Sequence, residues 1–202
     1  KRTYVPGASY HVTLHSASMT KAFATRQNKA EYITRLANYL SPRETRDSSR
    51  HKYSKLNEEV TALTYCLLDD HLHLPVIDLS GSGMTKRMHR VNTGFAAYFN
   101  RAHVRRGPLF DAPFAAKPVA DQDHARAVIA YTHLNHVSEQ LDYEFCGHRA
   151  LMGEMTIDWL DTDITATGAD RMIELGTRYL EAINDNHGMN VWLGYEGEYA
   201  MR

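Results

Sequence analysis

Two histidines one residue apart, His71 and His73, sit inside the apolar run at 65–77, Tyr-Cys-Leu-Leu-Asp-Asp-His-Leu-His-Leu-Pro-Val-Ile. In an extended strand, residues two apart point to the same face. Both imidazoles would then stand together while Leu72 and Leu74 enter a core on the other side. Paired imidazoles are ligands for a divalent cation. They have no simple structural use in a sheet, because each ring needs hydrogen-bond partners and two protonated rings repel. With 12 histidines in the chain, the spacing alone also fits two satisfied structural rings.

A second pair of chemically useful residues has helical spacing. Tyr131 and Asn135 are four apart and share one face of any helix that carries them. Taken alone they fit a half-buried tyrosine and a surface asparagine.

The elements that must position these residues can be read from periodicity and breakers. Residues 10–15 alternate as a strand after a Pro6-Gly7 turn, and 28–40 carry Tyr32, Ile33, Leu36, Ala37 and Leu40 at helical spacing, closed by Ser41-Pro42. Residues 43–57 are polar and charged and read as a mobile loop. Two strands follow, at 60–68 and 71–78, joined tightly at Asp69-Asp70. After the Ser80-Gly81-Ser82-Gly83 breaker, 84–102 reads as a long amphipathic helix with Met88, Val91, Phe95, Tyr98 and Phe99 as its stripe. A Gly107-Pro108 turn leads to a strand near 114–119, then to a helix capped by Asp121 that carries Tyr131 and Asn135. This order predicts an α+β fold, an antiparallel sheet with helices over one face. The 202 residues divide into a main domain, 1–146, and an acidic extension, 147–202, with short helical segments near Trp159 and at 169–183.

Charge is distributed unevenly. Residues 1–80 carry 11 Lys/Arg and 8 Asp/Glu, residues 81–118 carry 7 and 1, and residues 119–202 carry 5 and 15. The net −1 of the chain therefore conceals a basic middle segment. Its cations Lys86, Arg87, Arg90, Arg101, Arg105 and Arg106 are the candidates for contacts to a phosphate backbone, with Lys117 nearby. On the helix, Lys86, Arg87, Arg90 and Arg101 are expected off the apolar stripe. Charge alone equally fits a solvated helix face. No apolar run approaches the ~20 residues that span a bilayer, and nothing near Lys1 reads as a signal peptide, so no membrane partner is expected. Cys66 and Cys146 make neither a disulfide framework nor a ligand pair, which suits a reducing cytoplasm.

Together, Tyr10-His11-Val12-Thr13-Leu14, the Tyr65 to Leu74 segment, Tyr98-Phe99-Asn100-Arg101, Gly107-Pro108-Leu109-Phe110 and Tyr131-Thr132-His133-Leu134-Asn135 resemble the REP-associated tyrosine transposases. These are HUH single-strand DNA nucleases. The likeness covers about residues 4–152, and Gly153, Trp159-Leu160-Asp161 and Tyr179 also look like the family's tail. It implies a ferredoxin-like antiparallel sheet covered by helices, with His71 and His73 on a central strand. It implies Mg²⁺ or Mn²⁺ held by His71, His73 and Asn135, and Tyr131 as the nucleophile that becomes linked to a 5′ phosphate. The implied partner is a single-stranded DNA hairpin from repetitive extragenic palindromes, in a bacterial, nucleoid-associated cytoplasmic protein. A homodimer is left open.

Some residues depart from that pattern. Asp70 stands where the family usually has Asn, and a carboxylate there could join the ligands or accept a hydrogen bond from one. Asp111-Ala112-Pro113 and His136-Val137-Ser138-Glu139 lose basic residues the family favours. Two other functions remain open: a non-catalytic hairpin-binding regulator, and a phosphohydrolase acting on small nucleotides in which Tyr131 has no role.

Overall fold

The computed structural model describes residues 4–17, 20–47, 49–135 and 144–162. The chain runs β1 (Ala8–His15), α1 (Arg26–Leu40), β2 (Val60–Ala62), β3 (Cys66–Leu67), β4 (His71–Asp78), α2 (Gly83–Ala102), β5 (Ala115–Pro118), α3 (Gln122–Leu134) and α4 (His148–Leu151). The sheet is antiparallel, in the order β2-β4-β1-β5, with β3 also paired to β4. Taken as one interrupted strand, β2 and β3 complete a ferredoxin-like β-α-β-β-α-β unit.

The single strand expected at 60–68 is broken, and the register gives the cause. Ala62 pairs with Val76 and Cys66 with His73, so 63–65 oppose only 74–75. The extra residue is a bulge opposite Pro75, which has no N–H to give the ladder. Leu63 N–H still reaches the Pro75 carbonyl at 3.0 Å. The bulge lies two residues from His73, at the place where the strand must aim its histidines.

One face of the sheet forms the core. Tyr10, Val12 and Leu14 of β1 and Leu72, Leu74 and Val76 of β4 pack there with Tyr32 and Leu36 of α1 and Met84, Met88, Val91 and Phe95 of α2. The alternate residues, His11, Thr13 and His15 of β1 and His71 and His73 of β4, face the other way. That second face is covered by α3, which packs against β4. Helices therefore lie on both sides of the sheet rather than one.

Arg87 is corrected by the same geometry. It stands three residues after Met84 and four before Val91, on the stripe itself, and its side chain is fully buried. It is not part of a phosphate-facing surface.

The loop at 43–57 is built rather than open. Asp47 accepts from the Ser49 and His51 N–H groups, Arg46 pairs with Glu44 at 2.7 Å, and Arg43 pairs with Asp158 at 3.0 Å. Residues 147–162 pack back on the sheet: Trp159 lies tilted against Tyr65 in the core, ring centroids 5.1 Å apart, and Asp161 N–H bonds the Ala62 carbonyl. The rest of the acidic extension, including 169–183 and Tyr179, lies outside the described residues, as does 136–139. Cys66 and Cys146 face each other across an isolated antiparallel bridge, both buried and not joined in a disulfide.

Candidate active site

Register brings four histidines onto one face. Thr13 pairs with His73, His15 with His71 and His11 with Pro75. The His11 and His73 rings stack at 5.1 Å, His15 stacks on His71 at 5.1 Å, and His71 meets His73 edge-on at 4.9 Å. His73 is 5% exposed and His11 3%. The sequence reading identified His71 and His73 but passed over His11 and His15, whose spacing of four along β1 carried the same alternation signal.

Each of the two expected histidine ligands is held through its Nδ1. His71 Nδ1 bonds Asp70 Oδ1 at 2.6 Å, and His73 Nδ1 bonds His11 Nε2 at 3.0 Å. The Asp70 carboxylate is thus within hydrogen-bond reach of the outer histidine. Burial opposes its charge, but the hydrogen bond and charge of His71 outweigh that and hold its carboxyl below the usual range. The Nε2 of His73 is buried with no hydrogen-bond partner among the described residues. An imidazole fixed at one nitrogen and bare at the other is the donor a metal ion requires.

Tyr131 arrives from α3. Asp121 caps this helix by accepting the His124 N–H at 2.8 Å, as the sequence indicated. Its other end is fixed where Thr64 Oγ1 meets His133 Nε2 at 2.5 Å and Ile129 packs on Leu63. The Tyr131 ring then sits edge-on to His73 at 5.3 Å and to His11 at 6.1 Å, partly open to solvent. Asn135 caps α3 one turn later, its N–H bonding the Tyr131 carbonyl at 3.1 Å. Among the described residues, no three His, Cys, Asp or Glu side chains are grouped to hold a metal on their own. A cation here would need an oxygen donor of another kind, such as a carboxamide.

The basic candidates divide by location. α2 covers the core face, so Lys86, Arg90 and Arg101 lie across the sheet from the histidines. Lys86 is paired with Glu59 at 2.5 Å, and Arg90 lies over the Tyr39 ring and reaches the Ser54 carbonyl. Arg105 and Arg106 are nearer the site. Their loop returns through Leu109 and Phe110 to Ala17 and Ser16, beside Asp70. Arg105 lines a cleft with Lys21, and Lys21 also lines a second cleft of about 530 Å³ with His15, Asp70 and Asp111. Lys117 pairs directly with His11 and therefore shares the histidine face.

Burial holds both inner histidines neutral. It drives His11 down to about 3, with Lys117 and His124 adding to the effect, and it lowers His73 well below its ordinary value, with His11, His71 and His15 adding. The unfolded chain takes up these protons near pH 6.5 and the folded chain does not. Stability contributed by His11 is therefore complete above about pH 6.5 and is lost as the pH falls through about 3. The slope approaches about 1.4 kcal/mol per pH unit in that window. Urea midpoints of the metal-free protein are expected to fall between pH 7 and 5, and less steeply in His11→Gln. A wild-type midpoint that did not move would contradict this.

No protein-family model matches the chain, and no curated protein matches it in sequence. A solved structure does. It is a REP-associated tyrosine transposase bound to a REP hairpin, superposing at a TM-score of 0.53 with 16% identity over 80% of this chain and 91% of that one. The two chains share a fold. At that identity the likeness is a distant structural relationship, and the chemistry must be argued from this chain's own residues. No helix among the described residues is long and apolar enough to cross a membrane.

Proposed function

We propose that this chain cleaves and rejoins single-stranded DNA at hairpins, with Tyr131 as nucleophile and a divalent cation held by His71, His73 and Asn135. One observation carries the reading: the Tyr131 ring lies 5.3 Å from His73, whose Nε2 is buried and unpartnered. The phenol ring thus packs against an imidazole whose second nitrogen is bare. A bound Mg²⁺ or Mn²⁺ would draw charge from the phosphate oxygens and fix their orientation.

The residues of the chain supply the rest. Tyr131 Oη attacks the phosphorus, forming a Tyr–O–P bond as the P–O3′ bond breaks. The phenolic proton is lost and the departing 3′ oxygen gains one, so the products are a 5′-phosphotyrosine and a free 3′-hydroxyl. The 3′-hydroxyl can attack the link in reverse, which allows joining without an external energy source. A tyrosine on a helix needs a flexible strand to approach in line. Binding to a hairpin with an unpaired flank fits that need and agrees with the partner of the structural neighbour.

The test is direct. Labelled single strands with hairpin flanks, incubated with the protein and Mn²⁺, are expected to yield a covalent adduct that survives denaturation. Fully paired duplex is expected to yield none, and His73→Ala is expected to lose the adduct while remaining folded. Hairpin binding without an adduct in any divalent metal would favour the non-catalytic regulator instead.

The division of basic residues gives a second expectation. Lys117→Ala and Arg105→Ala should each weaken strand binding and flatten its salt dependence by roughly 0.7 in log–log slope, the loss of one single-strand phosphate contact. Lys86→Ala, across the sheet and paired with Glu59, should change neither. Fluorescence anisotropy at several salt concentrations separates the two outcomes, and an equal loss in Lys86→Ala would move the nucleic-acid surface to the α2 side.

A further inference from the structure

His11 is the one buried histidine of this face to which no chemistry has yet been assigned. Its cross-strand neighbour Pro75 has no polar side chain, so His11 leans diagonally and places Nε2 3.0 Å from His73 Nδ1. Only one proton can sit between those two nitrogens, and there are two ways to place it. If His11 donates, the His73 proton is on Nε2, where a buried N–H has no acceptor and no lone pair remains for a cation. If His73 donates, its Nε2 is a bare lone pair. Either way one buried atom goes unmatched in the absence of a metal, at a cost of about 1–3 kcal/mol, but a cation relieves that cost only in the second arrangement.

We propose that His11 is a positioning residue: its Nε2 accepts the Nδ1–H of His73 and thereby fixes the His73 Nε2 lone pair toward the cation. This deepens the proposed function and rests on it. The two ligands are then supported by different groups. His71 leans on Asp70, a carboxylate whose side chain is 55% exposed, while His73 leans on a neutral ring 3% exposed. A second carboxylate at the His11 position would be buried and would repel the phosphate at close range. A neutral acceptor orients the ligand without that charge.

Two measurements test the proposal. In metal-free wild-type protein with ¹⁵N-labelled histidine rings, long-range proton–nitrogen spectra are expected to show His73 protonated at Nδ1. Finding the proton on His73 Nε2 would overturn the proposal. Mn²⁺ affinity, read by electron paramagnetic resonance on variants whose melting confirms folding, is the second. His11→Leu is expected to bind Mn²⁺ about 10–100-fold more weakly, the usual cost of losing a ligand's supporting partner. His11→Gln, whose carboxamide oxygen can replace Nε2 as acceptor, is expected to stay near wild type. Equal Mn²⁺ binding by wild type and His73→Ala would overturn the cation reading and this proposal with it. If His73→Ala loses the ion but folded His11→Leu keeps it at full strength, the role of His11 alone is overturned.

Discussion

Tyr131→Phe is expected to yield no covalent adduct with single-stranded DNA while binding the strand as tightly as the wild type. The substitution removes one oxygen and keeps the ring that packs edge-on to His73 at 5.3 Å and to His11 at 6.1 Å. No hydrogen bond among the described residues uses that oxygen, and without it no bond to phosphorus can form at this position. The assay is a denaturing gel of labelled strand with Mn²⁺, run beside an affinity measurement. An undiminished adduct would place the nucleophile elsewhere, but Tyr65 and Tyr98 are poorly placed for that role. Tyr65 packs tilted against Trp159 in the core, where burial raises its pKa, and Tyr98 lies on α2 against Phe95, across the sheet. Cleavage without an adduct would point to attack by water, which is the phosphohydrolase reading. The experiment therefore separates three chemistries that the same histidine pair could serve.

Much of this arrangement was legible in the sequence because it depends on short-range periodicity. His71 and His73 share a face because a strand alternates, and Leu72 and Leu74 are in the core for the same reason. Asp121 announced the start of α3, which set Tyr131 and Asn135 one turn apart. What stayed hidden depends on pairing between distant strands. The placing of His11 beside His73 follows from the β1–β4 register, and the break between β2 and β3 follows from a bulge opposite Pro75; no local pattern announces either. The side of the sheet that α3 covers was hidden for a related reason: a single amphipathic helix can pack on either face. Arg87 misled in the opposite way. Its position on the 3.6-residue stripe was visible, but the charge was given more weight than the spacing, and here spacing decided.

Asp78→Ala is expected to lower stability by about 3 kcal/mol, because a buried, multiply bonded carboxylate is lost together with the partners it satisfies. Asp78 is fully buried at the end of β4, where its carboxylate accepts from the N–H groups of Ser80, Gly83 and Met84 at 3.2–3.3 Å. These bonds terminate the strand that carries the histidines and start α2, whose Ser82 cap makes no side-chain hydrogen bond. The carboxylate also attracts Arg87, whose three guanidinium nitrogens are buried without hydrogen-bond partners. Burial pulls its pKa down to about 10 against the attraction of Tyr32 and Asp78. Removing Asp78 leaves that cation with less compensation, so part of the loss belongs to Arg87. Arg87→Met should therefore be neutral or stabilising, since an apolar side chain of similar length replaces an unsatisfied charge. In the double variant the cost of Asp78→Ala should shrink toward that of the lost N–H bonds alone. Urea unfolding of the four proteins closes the cycle. A coupling near zero would mean that Arg87 is satisfied by something other than Asp78, and a large loss in Arg87→Met alone would mean that the guanidinium supports the α1–α2 packing rather than burdening it.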